Sequence, residues 1–222
     1  MTWHELQRLI KGGETEQVEF KQKADHPDKV VKELVAFANT AGGHLFIGVD
    51  DNGKVTGVKD AEEKIYAMEH AIGKLCKPAL KYSITTVPLN RSKREVVVFR
   101  VDESSQKPHF VIENFRTRRG KAYFRVDDQS IQASRELRQI IKRRRQEREV
   151  GFAYGQKEQQ LLQFLNQHPA ITLNAFAELC NISREEASET LIVLVLADIL
   201  KIAPNGDEDN YTMNEAATIG RA

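Results

Sequence analysis

Two stretches of the sequence decide the fold: ETEQVEFK at residues 14–21 and AFANTAGGHLFIGVDDNGKVTGV at residues 36–58. In the first stretch, apolar and charged residues alternate from Val18 to Lys21, which is the pattern of a half-buried strand. Asp28 is the predicted cap of the helix that follows, in which apolar residues recur at helical spacing until two glycines end it. A buried strand and a tight turn around Gly53 follow. This order predicts an α/β domain that can gather acidic groups at one edge of a sheet.

The same residues resemble the Schlafen AlbA-like (AlbA_2) family. The run from Ala36 to Gly43, followed by Gly-Val-Asp-Asp-x-Gly, carries most of the likeness. Downstream, residues 108–110 (PHF) resemble the start of a family strand, and residues 123–126 (YFRV) resemble its closing segment. Two aspartates, Asp127 and Asp128, stand where the family usually has glycine. The resemblance implies a mixed sheet with flanking helices and an association with DNA.

Composition limits the class of protein. With 222 residues and 41% hydrophobic content, the chain can form one large domain or two modest ones. No apolar run reaches the roughly 18 residues that a membrane span requires, so a membrane partner is not expected. The N-terminus lacks the pattern of a secretory signal. Cys76 and Cys180 are single and far apart, as in a reducing compartment. We expect a protein of a bacterial or archaeal cytoplasm.

The sequence predicts three parts. Residues 1–134 form the Schlafen-like domain, residues 135–155 a basic linker helix, and residues 156–222 a small second domain. In the last part, apolar spacing predicts three helices followed by a hairpin between residues 199–202 and 211–213. This arrangement resembles a winged helix-turn-helix. The predicted boundary lies near residues 151–155.

The net charge of +1 conceals a difference between the two parts. Residues 151–222 contain four Lys/Arg and ten Asp/Glu, a net charge of −6, so the remainder carries +7. A basic part joined to an acidic part predicts two units with different partners.

Two basic clusters are candidates for binding nucleic acid, because Lys and Arg neutralise phosphates. The first lies on a predicted hairpin whose aromatic residues (Phe115, Tyr123 and Phe124) could stack on bases. The alternative is that these residues form a solvated turn, a solvated helix face and core aromatics. The candidate basic residues are Arg116, Arg118, Arg119, Lys121 and Arg125 on the hairpin, and Lys142, Arg143, Arg144 and Arg145 on the linker helix.

An acidic constellation is the candidate catalytic site. Glu14, Glu19 and Asp50 or Asp51 match the carboxylates that serve as metal ligands in some Schlafen ribonucleases, so the resemblance implies a site for Mg²⁺ or Mn²⁺. Lys21 could neutralise a phosphate nearby. The alternative is structural: Asp51 would serve only the hairpin turn, Glu14 would be a loop residue, and Glu19 and Lys21 would form a same-face pair.

The predicted recognition helix begins with Ser183-Arg-Glu-Glu, and the predicted wing carries Asp207, Glu208 and Asp209. These acidic residues would repel phosphate, which favours a homo-oligomer contact or a protein partner for this module. The leading interpretation of the whole chain is a DNA- or RNA-binding protein, with transcriptional regulation as its role. The alternatives are a metal-dependent endoribonuclease acting on structured RNA and a protein-interaction scaffold.

Overall fold

The computed structural model describes residues 1–89, 93–117, 119–146, 154–206 and 208–214. The chain divides into two compact units, Met1–Gln132 and Ala133–Ala222. The helix predicted as a separate linker therefore belongs to the second unit. The predicted boundary at residues 151–155 lies mostly outside the described residues.

The first unit is a mixed α/β domain, which confirms the predicted fold class. Its helices are α1 (Trp3–Lys11), α2 (Pro27–Asn39) and α3 (Ala61–Leu75). Its strands are β1 (Val18–Lys21), β2 (Gly43–Ile47), β3 (Cys76–Lys77), β4 (Tyr82–Pro88), β5 (Glu95–Val101), β6 (Phe110–Asn114), β7 (Arg119–Lys121), β8 (Tyr123–Val126) and β9 (Gln129–Gln132).

The main sheet has the strand order β1-β2-β5-β4. Strands β1 and β2 are parallel and connected by α2, while β2-β5 and β5-β4 are antiparallel. Two smaller sheets, β3-β6-β7 and β8-β9, complete the unit. Strands β1 and β4 are thus the two edges of the main sheet.

Alternation along the strands separates two apolar layers on opposite faces of the main sheet. On one face, Leu45 and Phe99 pack with residues of α2 and α3, including Leu34 and Met68. On the other face, Phe20, Phe46 and Val98 pack with Leu6 and Ile10 of α1. The sheet is therefore covered by helices on both faces.

The α2 helix begins earlier than the sequence suggested. Pro27 occupies its first turn, where the missing N–H costs nothing. Asp28, predicted as the cap, lies inside the first turn, where its charge favours the helix dipole. At the other end, Gly42 adopts φ +74° and Gly43 starts β2 directly beneath the Phe37 ring. A Cβ at Gly43 would lie 2.4 Å from that ring, so this contact requires glycine.

The second unit contains α4 (Arg135–Arg144), α5 (Gln156–Leu165), α6 (Leu173–Cys180) and α7 (Arg184–Leu196). Its strands are β10 (Ile171–Thr172), β11 (Leu200–Ala203) and β12 (Asn210–Met213), in the antiparallel order β10-β12-β11. The predicted hairpin is confirmed, with Ile202 opposite Tyr211.

One apolar core holds the second unit together. Leu161, Phe176 and Leu191 bring three helices into it, and Tyr211 adds the hairpin. Ile140 of α4 belongs to the same core, which explains why α4 is part of this unit. Within the described ranges of both units, no helix has the length and apolar character needed to cross a bilayer.

Replacing Gly43 with Ala should destabilise the first unit, because the new methyl group would overlap the Phe37 ring and force a shift in a packed core. We expect a loss of about 1–3 kcal/mol in the free energy of unfolding, measured by urea denaturation. The matched control is Gly73→Ala in α3, where a Cβ meets nothing within 4 Å. Alanine should be neutral or stabilising there, by up to about 1 kcal/mol. Equal effects of the two substitutions would contradict the close approach at Gly43.

Candidate nucleic-acid interface and charged sheet edge

Arg125 of β8 lies at the centre of a buried charged cluster. Its side chain is 0% exposed. One terminal nitrogen, Nη1, donates to the carboxylates of Glu19 at 2.8 Å and Glu33 at 3.2 Å. The other, Nη2, donates to the carbonyl oxygens of Thr15 at 2.7 Å and Asp128 at 2.9 Å. The guanidinium thus connects β1, α2 and the β8–β9 turn.

This position differs from the sequence interpretation, which grouped Arg125 with the nucleic-acid contacts. Its ring neighbour is Phe37, whose centroid lies 5.1 Å from the guanidinium carbon. A planar fork with several donors suits such a site, because one side chain can donate to two carboxylates and two carbonyls at once. Arg125 is committed to protein groups and is shielded from solvent.

Glu19 is occupied on both carboxylate oxygens. One accepts from Arg125, and the other accepts from the Lys21 ammonium on the same strand. Lys21 also donates to the Phe20 carbonyl at 2.8 Å. Burial lowers the pKa of Lys21, but the hydrogen bond and charge of Glu19 outweigh it and leave that pKa raised. Lys21 therefore stays charged and bound to the sheet edge.

Glu14 also binds the outer edge of β1. Its Oε1 accepts the Phe20 N–H at 2.8 Å. Burial raises the pKa of the Glu14 carboxyl, the hydrogen bond partly offsets this, and the charges of Glu19 and Asp51 raise it further. The structure therefore brings Glu14, Glu19, Lys21 and Asp51 into one electrostatic neighbourhood.

Asp50 serves the turn that the sequence analysis predicted. Its Oδ1 accepts the backbone N–H groups of Asn52 at 3.0 Å and Lys54 at 2.9 Å. Gly53 takes φ +76° in this turn. The sequence interpretation offered Asp51 for this structural role, whereas Asp51 is exposed and its neighbour holds the turn.

The predicted metal ligands do not fit a metal site in this arrangement. The oxygens of Glu19 are taken by Arg125 and Lys21, and Asp50 is taken by the turn. Within the ranges that the structure describes, no group of three or more His, Cys, Asp or Glu side chains is placed to hold a metal ion.

A cleft of about 670 Å³ opens beside this cluster. The buried carboxylates Glu19 and Glu33 line it, together with Lys21 and the exposed Lys23 and Lys29. The sequence analysis missed Glu33, a carboxylate inside an apolar helix. A buried carboxylate requires a partner, so a glutamate among apolar helix residues could have indicated a buried ion pair.

The β6–β7 hairpin carries the exposed basic groups. The Asn114 side chain holds its turn by accepting the N–H groups of Arg116 at 3.0 Å and Thr117 at 3.1 Å. Arg116 and Arg119 are exposed, and Lys121 forms an ion pair with a glutamate at 3.0 Å. Arg118 lies outside the described residues.

Only one of the predicted hairpin aromatics faces solvent. Phe115 is 54% exposed, and the Lys74 ammonium lies 5.5 Å from its ring centroid. Phe124 is buried, and Tyr123 packs against the main core. Lys77 is exposed on β3, which pairs with β6. We call the set Lys74, Lys77, Phe115, Arg116, Arg119 and Lys121 the hairpin surface.

The second predicted basic cluster is partly neutralised inside its own unit. Arg143 donates to both oxygens of Glu189, at 2.9 Å for Nη2. Arg144 donates to Asp198 at 3.0 Å. Lys142 and Arg145 are exposed. Two of the four cations are therefore paired, one with Glu189 of α7 and one with Asp198 just after α7.

The unit boundary changes the charge argument. Met1–Gln132 contains 22 Lys/Arg and 19 Asp/Glu, a net charge of +3, and Ala133–Ala222 contains 11 and 13, a net charge of −2. The difference is smaller than the predicted +7 and −6, because the basic α4 belongs with the acidic unit. Local arrangement, and not net charge, therefore identifies the hairpin surface.

Replacing Arg125 with Ala should strongly destabilise the first unit, because the buried Glu19 and Glu33 would lose the guanidinium that they share. We expect a loss of about 3–5 kcal/mol in the free energy of unfolding. Arg119→Ala is the control, since this exposed arginine should matter by less than about 0.5 kcal/mol. Arg125→Lys should be intermediate, because an ammonium keeps the charge without the fork. Similar losses for Arg125→Ala and Arg119→Ala would contradict the buried network.

Glu14 should make a pH-dependent contribution to stability. The pKa of Glu14 in the folded protein is raised above its ordinary value, so the folded state holds the proton to higher pH than the unfolded state does. The contribution of Glu14 to the unfolding free energy must therefore fall as pH rises from the unfolded-state pKa to the folded-state pKa, and it stays low at higher pH.

Glu14→Gln should remove that slope and leave stability at pH 7 unchanged or higher, because the amide oxygen can still accept the Phe20 N–H. Glu14→Ala should remove the slope but lose about 1 kcal/mol with the hydrogen bond. Urea titrations between pH 4 and 8 compare the three proteins, using about 4.3 as the unfolded glutamate pKa. An unchanged slope in Glu14→Gln would refute the raised pKa.

Comparison with known proteins places the first unit in a family. The family model "Schlafen, AlbA_2" matches residues 14–134, more than half of the chain. No curated protein matches the sequence. Two solved structures resemble part of the chain, both with TM-scores under 0.5.

The DIP2311 protein of Corynebacterium diphtheriae is 20% identical with a TM-score of 0.39, and the match covers 55% of this chain and only 25% of that one. The N-terminal domain of a Nitrosomonas europaea RecG-related protein, named for an ATP-dependent DNA helicase, is 19% identical with a TM-score of 0.41. That match covers 61% of this chain and 93% of the other. By its family match over residues 14–134, the chain belongs to the Schlafen AlbA_2 family.

Proposed function

We propose that the first unit binds nucleic acid through the hairpin surface. The observation that carries the proposal is the exposed Phe115 ring, with the Lys74 ammonium 5.5 Å from its centroid. Arg116 and Arg119 are exposed on the same hairpin, whose turn is held by Asn114. An exposed aromatic ring can stack on a base, and nearby cations can bind phosphates. The combination therefore suits a nucleic acid.

The chemistry of each group fits this role. Arg116, Arg119 and Lys77 can neutralise phosphates and release counterions, which gives affinity without reading sequence. Phe115 can stack on an unpaired base, a contact worth about 1–3 kcal/mol. Membership of the AlbA_2 family supports nucleic acid as the ligand class. We further propose that the nucleic acid is DNA and that the protein regulates transcription in the cytoplasm.

For the second unit we propose a winged-helix role in contacting protein. The first turn of α7 is acidic, with Glu185 exposed and Glu186 accepting from Lys157 at 2.7 Å. Further along the helix, Glu189 accepts from Arg143. Asp209 is buried against the Ser134 hydroxyl. These carboxylates stabilise the unit and leave its helix start unsuited to phosphate.

The geometry does not favour a metal-dependent endoribonuclease. Its central ligand, Glu19, spends both carboxylate oxygens on Arg125 and Lys21, and the cluster is accounted for as part of the fold.

The double variant Arg116→Ala/Arg119→Ala should weaken binding of both single- and double-stranded oligonucleotides in fluorescence anisotropy titrations. Each lost phosphate contact should reduce the slope of log K against log salt by about 0.7–0.9. The full chain is used, with Lys11→Ala/Lys59→Ala as a charge-matched control, because both of these lysines are exposed away from the hairpin. An unchanged salt slope in the hairpin variant, or an equal change in the control, would refute the assignment.

Phe115→Ala separates stacking from charge. It should weaken binding to single strands by about tenfold while leaving the salt slope intact, and it should affect duplex binding less, because paired bases offer no free face. Equal loss on both substrates would show that Phe115 acts only through the hairpin conformation.

A further inference from the structure

The two edges of the main sheet differ in whether their outward backbone groups have hydrogen-bond partners. At the β1 edge, Thr15 and Val18 exchange backbone hydrogen bonds at 3.0 and 3.3 Å. At Phe20, the N–H is taken by the Glu14 carboxylate and the carbonyl by the Lys21 ammonium, both at 2.8 Å. The outward polar groups of β1 are therefore satisfied by the chain itself, and this edge is closed to another strand.

The β4 edge is open. In the ranges that the structure describes, β4 pairs with β5 on one side, and no hydrogen bond reaches its other side. All seven residues, Tyr82 to Pro88, pair with β5 without a register shift, so no bulge interrupts the edge.

The composition of β4 lacks the usual protection of an edge strand. Natural sheets guard exposed edges with charged side chains, bulges or prolines. The strand reads YSITTVP, with no charged residue and with proline only at its last position. Tyr82 and Ile84 are half-buried against the main core, so their outer sides remain in contact with water. Such an edge is suited to pairing.

We propose that β4 pairs antiparallel with β4 of a second copy of this chain. The two four-stranded sheets would then form one continuous sheet around a two-fold axis. An isologous contact of this kind requires a self-complementary surface. With the axis at Thr85, Ile84 lies opposite Thr86 and Ser83 opposite Val87 of the second copy, and no like charges meet. A second copy is favoured over another partner because pairing two copies would satisfy both open β4 edges at once and would bring no charged side chains together.

The full chain should dimerise reversibly between about 1 and about 500 µM in sedimentation equilibrium, as expected for a small interface. Thr86 is exposed, and the two copies of this residue would lie diagonally across the axis, about 7–8 Å apart. Thr86→Lys and Thr86→Glu should each weaken association at least tenfold, because each places like charges together. Mixing the two variants should restore a heterodimer.

Gln106→Lys and Gln106→Glu are the controls, since Gln106 is exposed in a loop outside the sheet. They should leave association unchanged, and thermal melts should show that all variants fold. Amide exchange within β4 should slow as the concentration of the unmodified chain rises.

The proposal is overturned if the unmodified chain stays monomeric over this range. It is also overturned if a dimer survives both Thr86 variants, which would place the contact elsewhere, or if the weakened variants fail to recover on mixing. None of these outcomes depends on nucleic-acid binding.

Discussion

The guanidinium of Arg125 is the interaction on which the first unit depends. It donates hydrogen bonds to Glu19 of β1 and Glu33 of α2 from a strand more than ninety positions further along the chain. The cost of burying one cation and two carboxylates is offset only if all three remain in contact, because each alone would be an unpaired buried charge. This network therefore fixes the closing segment against the strand–helix unit that begins the fold.

That constraint determines which charges are available for function. Three groups in the family-like motif, Glu14, Glu19 and Lys21, are used to close and neutralise the edge of β1. Cations that bind a ligand must instead be exposed and free of a buried ion pair. On the β6–β7 hairpin, Arg116 and Arg119 are exposed beside Phe115. The same residue types thus have opposite roles in the two places, and burial separates them.

Sequence patterns predicted features that depend on near neighbours. The strand at Val18, the turn at Gly53 and the hairpin of Ile202 with Tyr211 follow from alternation and turn chemistry, and they are present. The burial of Arg125 was not predictable, because it depends on two carboxylates distant in sequence. The inclusion of the basic α4 helix in the acidic unit was missed for the same reason, because it depends on the packing of Ile140 in that unit's core and on the ion pair of Arg143 with Glu189.

The open edge and the hairpin surface belong to one unit, and this has a consequence for binding strength. If two copies join through β4, each particle carries two hairpin surfaces related by a two-fold axis. A long nucleic acid that engages one surface then holds the second at a raised effective concentration, so weak single contacts can add up to firm binding. A net charge of only +3 on the first unit is compatible with this arrangement, because counterion release depends on local contacts and their number. Modest cationic patches, presented twice, can substitute for one strongly basic surface.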